Sequence, residues 1–385
     1  TPGPLSTSDC QNESDLVTYN MYDEANNYIA LGLDGGGFDW PTDNLYQNGH
    51  TQSYNLDVRG GTNTIRYFVS ANYENEEGVV YYNRDETFRL RANLNVVFSD
   101  EFSLDISTGF VDGYTRYANA TDRDGGVWQD MIWSNGHYLR RINDGLNDRL
   151  LGFQEHLPTD AADIEATRDY SRFTGSATLR HNYGEWLNQR LVIGIDKGWD
   201  INRNLFPLEA GHLDASGVPQ PVYSETTSGQ MTYARPVSTN SSFDYSITGD
   251  YDLNDAFSFG TSFGAQYYSQ SNDRFANTGN GFASPLSRTV NQLATDQTST
   301  SYSFVENRSL GFYIQEQISY QDRLFVTGSV RFDDNSTFGQ DAPSQIYPNA
   351  QATWVLSEEG FWNFDALNSF RIRGAWGKAG RQPSA

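Results

Sequence analysis

The chain has 385 residues, with 49 acidic against 26 basic side chains and a net charge of −23, so it offers no clustered Lys and Arg surface for a phosphate backbone and nucleic acid is set aside. Its one cysteine, Cys10, excludes a disulfide framework and a Cys-based metal site, and no run reaches the ~18 apolar residues that a spanning helix needs. Tyr 24, Phe 23, Trp 8 and Gly 35 are carried by a chain whose mean hydropathy is only −0.63, a mixture that suits strands with one apolar and one polar face.

Thr1-Pro2-Gly3-Pro4 has neither the basic start nor the apolar stretch of a signal peptide, so the chain reads as a mature or excised piece. Period-two alternation begins at 51–59, with Tyr54, Leu56 and Val58 on one face and Ser53, Asn55, Asp57 and Arg59 on the other. Gly60-Gly61-Thr62-Asn63 predicts a tight turn. The return strand sets Ile65, Tyr67, Val69, Ala71 and Tyr73 against Arg66, Ser70, Asn72 and Glu74, with Phe68 as the exception on the polar face. Residues 86–98 alternate Phe88, Leu90, Ala92, Leu94, Val96 and Phe98 with Arg89, Arg91, Asn93 and Asn95, and turn at Ser99-Asp100-Glu101 into 102–115. Further pairs are expected at 171–183 with 187–199, 242–253 with 257–269, 308–320 with 323–333, and 346–356 with 369–377 across a longer connection, twelve strands in all.

These segments run to about ten residues or more, against about five or six in soluble sheets, and that is the length a tilted strand needs to cross a bilayer. One end of the hairpins is tight, as at Gln321-Asp322 or Asn254-Asp255-Ala256, whereas 116–170, 200–241 and 270–307 read as long loops. Short turns on one side and long loops on the other are the outer-membrane pattern, with the turns periplasmic and the loops extracellular. Tyr54, Tyr73, Phe88, Phe98, Tyr183, Phe257, Tyr320 and Trp354, near strand ends, are expected to form interfacial girdles. The expected fold is all-β, an antiparallel transmembrane β-barrel. A soluble sandwich would use the same aromatics as its core.

The motifs that carry chemistry are sparse. Gly260-Thr261-Ser262-Phe263-Gly264 matches G-x-S-x-G, but Phe257, Phe259, Phe263 and Tyr267 keep two-residue spacing through it, which predicts a small lumen-facing Ser262 rather than a nucleophile on a strand-to-helix turn. Asp250-Tyr251-Asp252-Leu253-Asn254 imitates the start of a calcium loop yet has Asp255 and Thr261 where Gly and a bidentate Glu belong. Asp122-Arg123-Asp124-Gly125-Gly126 is a looser oxygen-rich cluster, read more plainly as a solvated turn. His50, His137, His156, His181 and His212 show no zinc spacing, and neither a metal nor a cofactor is expected. Trp128, Trp133 and Tyr138, with Asn135 and His137 nearby, are the candidate substrate-binding cluster, since aromatic faces beside hydrogen-bonding groups hold sugars or peptides. The plainer alternative is that they pack the loop onto the barrel rim, and the spacing from Trp128 to Ile132 fits a short packed helix equally well.

Gly60-Gly61-Thr62-Asn63-Thr64-Ile65-Arg66-Tyr67-Phe68-Val69-Ser70-Ala71-Asn72-Tyr73 followed by Gly78, and then Phe88-Arg89-Leu90-Arg91-Ala92-Asn93-Leu94, resemble the early barrel hairpin of SusC/RagA-type TonB-dependent outer-membrane transporters. Tyr320-Gln321-Asp322-Arg323-Leu324, Arg331 to Gly339, Trp354-Val355-Leu356-Ser357-Glu358-Glu359 and Arg371-Ile372-Arg373-Gly374-Ala375-Trp376-Gly377 extend the likeness. Where the family usually has Gly then Ser, this chain has Asp334 and Asn335, two residues that tolerate positive φ. The resemblance implies a barrel of about 22 strands around a plug, of which this chain is expected to be a central slice without plug or C-terminal strands. Residues 1–50 would then be an extracellular loop region, 51–378 a partial barrel and 379–385 a truncated end.

The function implied is active import of a nutrient, an oligosaccharide or a peptide, across the outer membrane of a Gram-negative bacterium. The partners implied are outer-membrane lipid, a SusD-like surface lipoprotein, and TonB with ExbB and ExbD acting through segments absent here. No enzymatic activity is expected. A passive porin or structural barrel would share every alternation feature, and a soluble carbohydrate-binding β-sandwich and an outer-membrane hydrolase built on Ser262 are the remaining alternatives.

Overall fold

In a computed structural model the chain is described at residues 46–118, 162, 164–208, 229–284, 286–294, 298–337, 344–364 and 367–380. Twelve strands follow one another: β1 (His50–Gly61), β2 (Ile65–Glu77), β3 (Arg84–Val97), β4 (Phe102–Arg116), β5 (Glu165–Tyr183), β6 (Leu187–Phe206), β7 (Gln230–Asn254), β8 (Phe257–Asn280), β9 (Thr298–Tyr320), β10 (Leu324–Asn335), β11 (Gln345–Val355) and β12 (Arg371–Gly377). They form one 12-stranded sheet in sequence order, each pair antiparallel. Among the described residues β1 pairs only with β2 and β12 only with β11, so the sheet has two free edges.

Register places the alternation of the sequence on two continuous faces. Tyr67, Leu94, Ile106, Ala177, Ile193, Phe243 and Tyr267 follow one another across β2 to β8 as direct Cα partners. One step lower, Leu191, Tyr245, Ala265, Phe312, Phe332 and Ile346 continue the belt to β11. Among the described residues nothing packs on this belt: Leu56 is 67% exposed, Ile193 51% and Ile314 52%. A sandwich would cover such a face with a second sheet at about 10 Å, and the sheet here is single, which sets the soluble-sandwich alternative aside. Lipid is the solvent that suits this belt.

The aromatic ends fall on two levels. Tyr54, Tyr73 and Phe88 are cross-strand partners at the loop side. At the turn side Phe257 and Tyr320 rings lie 4.9 Å apart, Tyr183 and Trp186 6.3 Å, and the Trp354 indole donates to Glu359 at 2.9 Å. An apolar ring body with a wet polar tip is the chemistry of the interface.

The tight turns are held by local hydrogen bonds. Asn254 Oδ1 accepts from the Ala256 and Phe257 amides at 2.9 and 3.1 Å, so the acidic stretch Asp250–Asn254 ends β7 and caps its turn. Gln321 and Asp322 have φ of 50° and 56°, and the Arg323 amide donates to the Tyr320 carbonyl at 3.0 Å, a type I′ turn. Positive φ is thus taken there and not at Asp334 and Asn335, which lie in β10; Asn335 Oδ1 instead accepts from the Thr337 amide at 2.8 Å.

The predicted long loops need correction at both ends. Strands β5 to β9 reach Glu165, Phe206, Gln230, Asn280 and Thr298, well into 116–170, 200–241 and 270–307. β7 has 25 residues and β8 24, more than twice the about 9–11 that span a bilayer. Above the belt the outer face meets water and turns polar, as in Thr239, Ser241, Ser269 and Ser271, so the alternation that marks a strand fades while its backbone ladder continues. The little core the described residues have lies here and at the β2–β3 turn, in Val80, Tyr82, Ile164, Leu205, Met231, Phe282 and Leu293.

Candidate functional site

The polar face is the one that can meet a solute, and the register of the sheet sorts its charges into pairs. Arg89 Nη1 donates to Glu74 Oε2 at 2.6 Å and to Asn72 Oδ1 at 3.1 Å across β2 and β3. Arg172 on β5 grips Asp196 on β6 with two donors, Nε at 2.7 Å from Oδ1 and Nη2 on Oδ2. Asp105 on β4 is held by Arg180 and by Asn95 Nδ2, the latter at 2.7 Å. On the far strands Arg331 Nε donates to both oxygens of Asp333 at 2.8 and 2.9 Å, Arg331 Nη1 donates to Gln266 Oε1 at 2.5 Å, and Gln266 Nε2 donates to Asp244.

These pairs stand in water. The Arg172 side chain is 59% exposed, so each pair contributes about 0–1 kcal/mol to stability. Their effect lies in keeping the face wet and its side chains oriented. Arg59, Arg66, Arg91 and Arg190 are exposed on the same face with no carboxylate partner among the described residues. A depression of about 420 Å³ runs between Asn72, Arg89, Arg91, Ser107, Arg172 and Thr174. Small residues shape the wall elsewhere: the Tyr313 ring lies over its cross-strand partner Gly264, where an added Cβ would come within 2.1 Å of it, and Tyr170 covers Gly113 at 2.4 Å.

Ser262 sits within β8, six residues in, on this polar face, its Oγ 3.0 Å from Thr248 Oγ1. The G-x-S-x-G match thus lies within a continuous strand, without the turn a nucleophile elbow requires. Among the described residues no group of three His, Cys, Asp or Glu side chains could hold a metal ion. His181 stacks on Phe102 with centroids 4.1 Å apart, a packing role. Trp128, Trp133 and Tyr138, together with Asn135, His137 and the Asp122–Gly126 cluster, lie outside the described residues.

Two features escaped the sequence reading. The ion pairs join residues up to 75 positions apart, such as Arg180 and Asp105, and only the register shows them. The second is Glu316, on the apolar face between Ile314 and Ile318, with Gly328 as its cross-strand neighbour. Thr261 Oγ1 donates to its Oε2 at 2.7 Å while Oε1 is buried without a partner. The two-residue spacing from Leu310 to Tyr320 signals this carboxyl on close inspection, because Leu310, Phe312, Ile314, Ile318 and Tyr320 fill the other places on that face of β9.

Comparison with known proteins agrees with this geometry. A family model described as TonB dependent receptor-like, beta-barrel, matches residues 128–385. TonB-dependent receptor P26 of Formosa agariphila is 25% identical over 363 residues, 86% of this chain and 33% of that protein. TonB-dependent receptor SusC of Bacteroides thetaiotaomicron is 21% identical over 415 residues, covering 99% of this chain and 39% of that protein. Among solved structures, the RagAB peptide importer in its open-open state superposes with a TM-score of 0.66 at 14% identity, over 97% of this chain and 42% of that one, a likeness of fold. The chain therefore spans between 33% and 39% of the length of these curated relatives. With more than half of its residues under the family model, this chain belongs to the TonB-dependent receptor-like β-barrel family.

Proposed function

We propose that this chain is a section of the wall of a TonB-dependent importer of the bacterial outer membrane, with its apolar face in lipid and its Arg- and Asp-bearing face lining the lumen. The observation that carries the reading is the single antiparallel sheet with an uncovered apolar belt on one side and a hydrogen-bonded polar ladder on the other. A structure of that kind is at equilibrium only where one face meets hydrocarbon and the other water.

The cargo we propose is an oligosaccharide or a peptide; the RagAB structure that shares the fold is that of a peptide importer. A SusD-like surface lipoprotein over the extracellular extensions, and TonB energised by ExbB and ExbD, are the partners that go with this reading. Trp128, Trp133 and Tyr138 remain the proposed cargo contacts in the first long loop. The domain division of the sequence reading, with 51–378 as barrel wall, is kept with it.

The test is uptake of labelled oligosaccharides and peptides by cells carrying the full-length gene product, with and without TonB. Import that needs TonB supports the reading. Equal uptake in its absence would turn the protein into a passive pore. Recovery of the full-length product in the soluble fraction without detergent would remove it from the membrane altogether.

A further inference from the structure

Above the apolar belt, a second concavity opens on the side of the wall that faces away from the lumen. Residues 281–284 and 286–294 follow β8, pass through the 3-10 turn Val290–Gln292, and lie back over the outer face of β7 and β8. There Phe282 and Leu293, joined by a β-bridge, complete a small buried cluster with Leu205 and Met231. Gln292 Oε1 accepts from the Arg288 and Thr289 amides at 2.9 and 3.2 Å, which closes the turn on itself. The flap is thus pinned at both ends of its short helix.

Between flap and strands remains a cavity of about 800 Å³. This is the size of a small-molecule site, which runs to about 300–1,000 Å³. Met231, Tyr233, Phe275 and Val290 make its apolar walls and Arg203 and Arg288 its charged end, and among the described residues no carboxylate lines it. Glu165 stands behind the two guanidiniums, 3.2 Å from Arg203 and 4.0 Å from Arg288, and fixes them in place. In a chain where acids outnumber bases 49 to 26, a cavity lined by two arginines and, among the described residues, no acid runs against composition and favours an anion. The planar fork of arginine suits a carboxylate in particular.

Height decides the source of that anion. Tyr233 lies about ten residues above Phe243, the last belt residue of β7, or about 25 Å along the membrane normal for a tilted strand. Acyl chains of the bilayer do not reach so far. We propose that this outer-wall cavity binds a soluble organic carboxylate with an apolar body, at a site separate from the lumen.

The experiment is calorimetric titration of the full-length protein in neutral detergent with 4-phenylbutyrate and with the matching amide. The acid is expected to bind saturably and the amide at least about tenfold more weakly, the worth of a charge-assisted hydrogen bond. Arg203→Gln should weaken the acid by about tenfold, and Val290→Trp, which fills the cavity from a half-buried position in its wall, should remove binding while the barrel keeps its heat-modifiable gel mobility. Equal binding of acid and amide, acid binding unchanged in both variants, or no saturable binding overturns the proposal. Displacement of the acid by anionic lipid in nanodiscs would reassign the site to a headgroup. The readout is binding to purified protein, so its failure and the failure of the import reading are distinguishable.

Discussion

Residue by residue, the chain places a few groups where their environment works against them, and each yields a measurable effect. Gln321 and Asp322 occupy the left-handed region with a Cβ, at φ of 50° and 56°. Such a conformation costs an L-residue about 1–2 kcal/mol, which glycine avoids at some loss of chain entropy. Asp322→Gly is expected to stabilise the protein by about 0.5–1 kcal/mol in urea unfolding from detergent; an unchanged midpoint would show that the turn is not under strain. Glu316 faces hydrocarbon with one oxygen buried and unpartnered. Glu316→Leu should therefore raise stability by about 1–2 kcal/mol in a bilayer, and a fall would show that the Thr261 hydrogen bond outweighs the cost of the buried oxygen.

At the β2–β3 turn, burial pushes the Tyr82 phenol above its usual range, while its hydroxyl donates to the Ala118 carbonyl at 3.0 Å. With the folded value raised above the unfolded one, the stabilisation is full below about pH 10 and is lost as the pH climbs toward the folded value. Tyr82→Phe should flatten the alkaline fall in the thermal midpoint.

At the scale of single strands and hairpins, alternation is legible only as far as the solvent contrast that produces it. Within the belt, β3 shows Phe88, Leu90, Ala92 and Leu94 against Arg89, Arg91 and Asn93, and its predicted span of 86–98 differs from the observed Arg84–Val97 by one or two residues. Above the belt water bathes both faces, and β7 begins at Gln230 although its pattern is readable only from residue 242. Inside the wall, glycine takes its meaning from the neighbouring strand. Gly264 leaves room for the Tyr313 ring, and a side chain there would meet it at 2.1 Å. Gly264→Val is expected to lose about 1–3 kcal/mol by displacing the ring, read from the unfolding midpoint. Gly328, with nothing within 4 Å of an added Cβ, should accept alanine with little change, and a loss as large as that of Gly264→Val would contradict the assigned register.

For the whole molecule, the sheet is a wall and not a container: both edges are free among the described residues, and in a bilayer a free edge has to be paired. The apolar belt requires lipid, and the polar ladder requires water on the other side. If the ion pairs orient the wall rather than stabilise it, Arg172→Ala with Asp196→Ala should leave the unfolding midpoint within about 1 kcal/mol of the parent. Conductance of the reconstituted protein, or cargo uptake in cells, is the measurement expected to change, and a large loss of stability with unaltered transport would reverse that assignment.

What the sequence determined by itself was the two-faced strand, repeated twelve times, and the tight turns that set its direction, because both follow from the contrast between lipid and water and from residues such as Asn254 and Gly61. Hydropathy along one strand is a local property, so it survives without the fold. What the tertiary structure decided was which charges meet, where the long strands end, and that residues 286–294 fold back to leave a cavity against β7 and β8. Those depend on the register between neighbours many residues apart, and no local pattern encodes it. Arg180 and Asp105 become a pair only when β4 and β5 align.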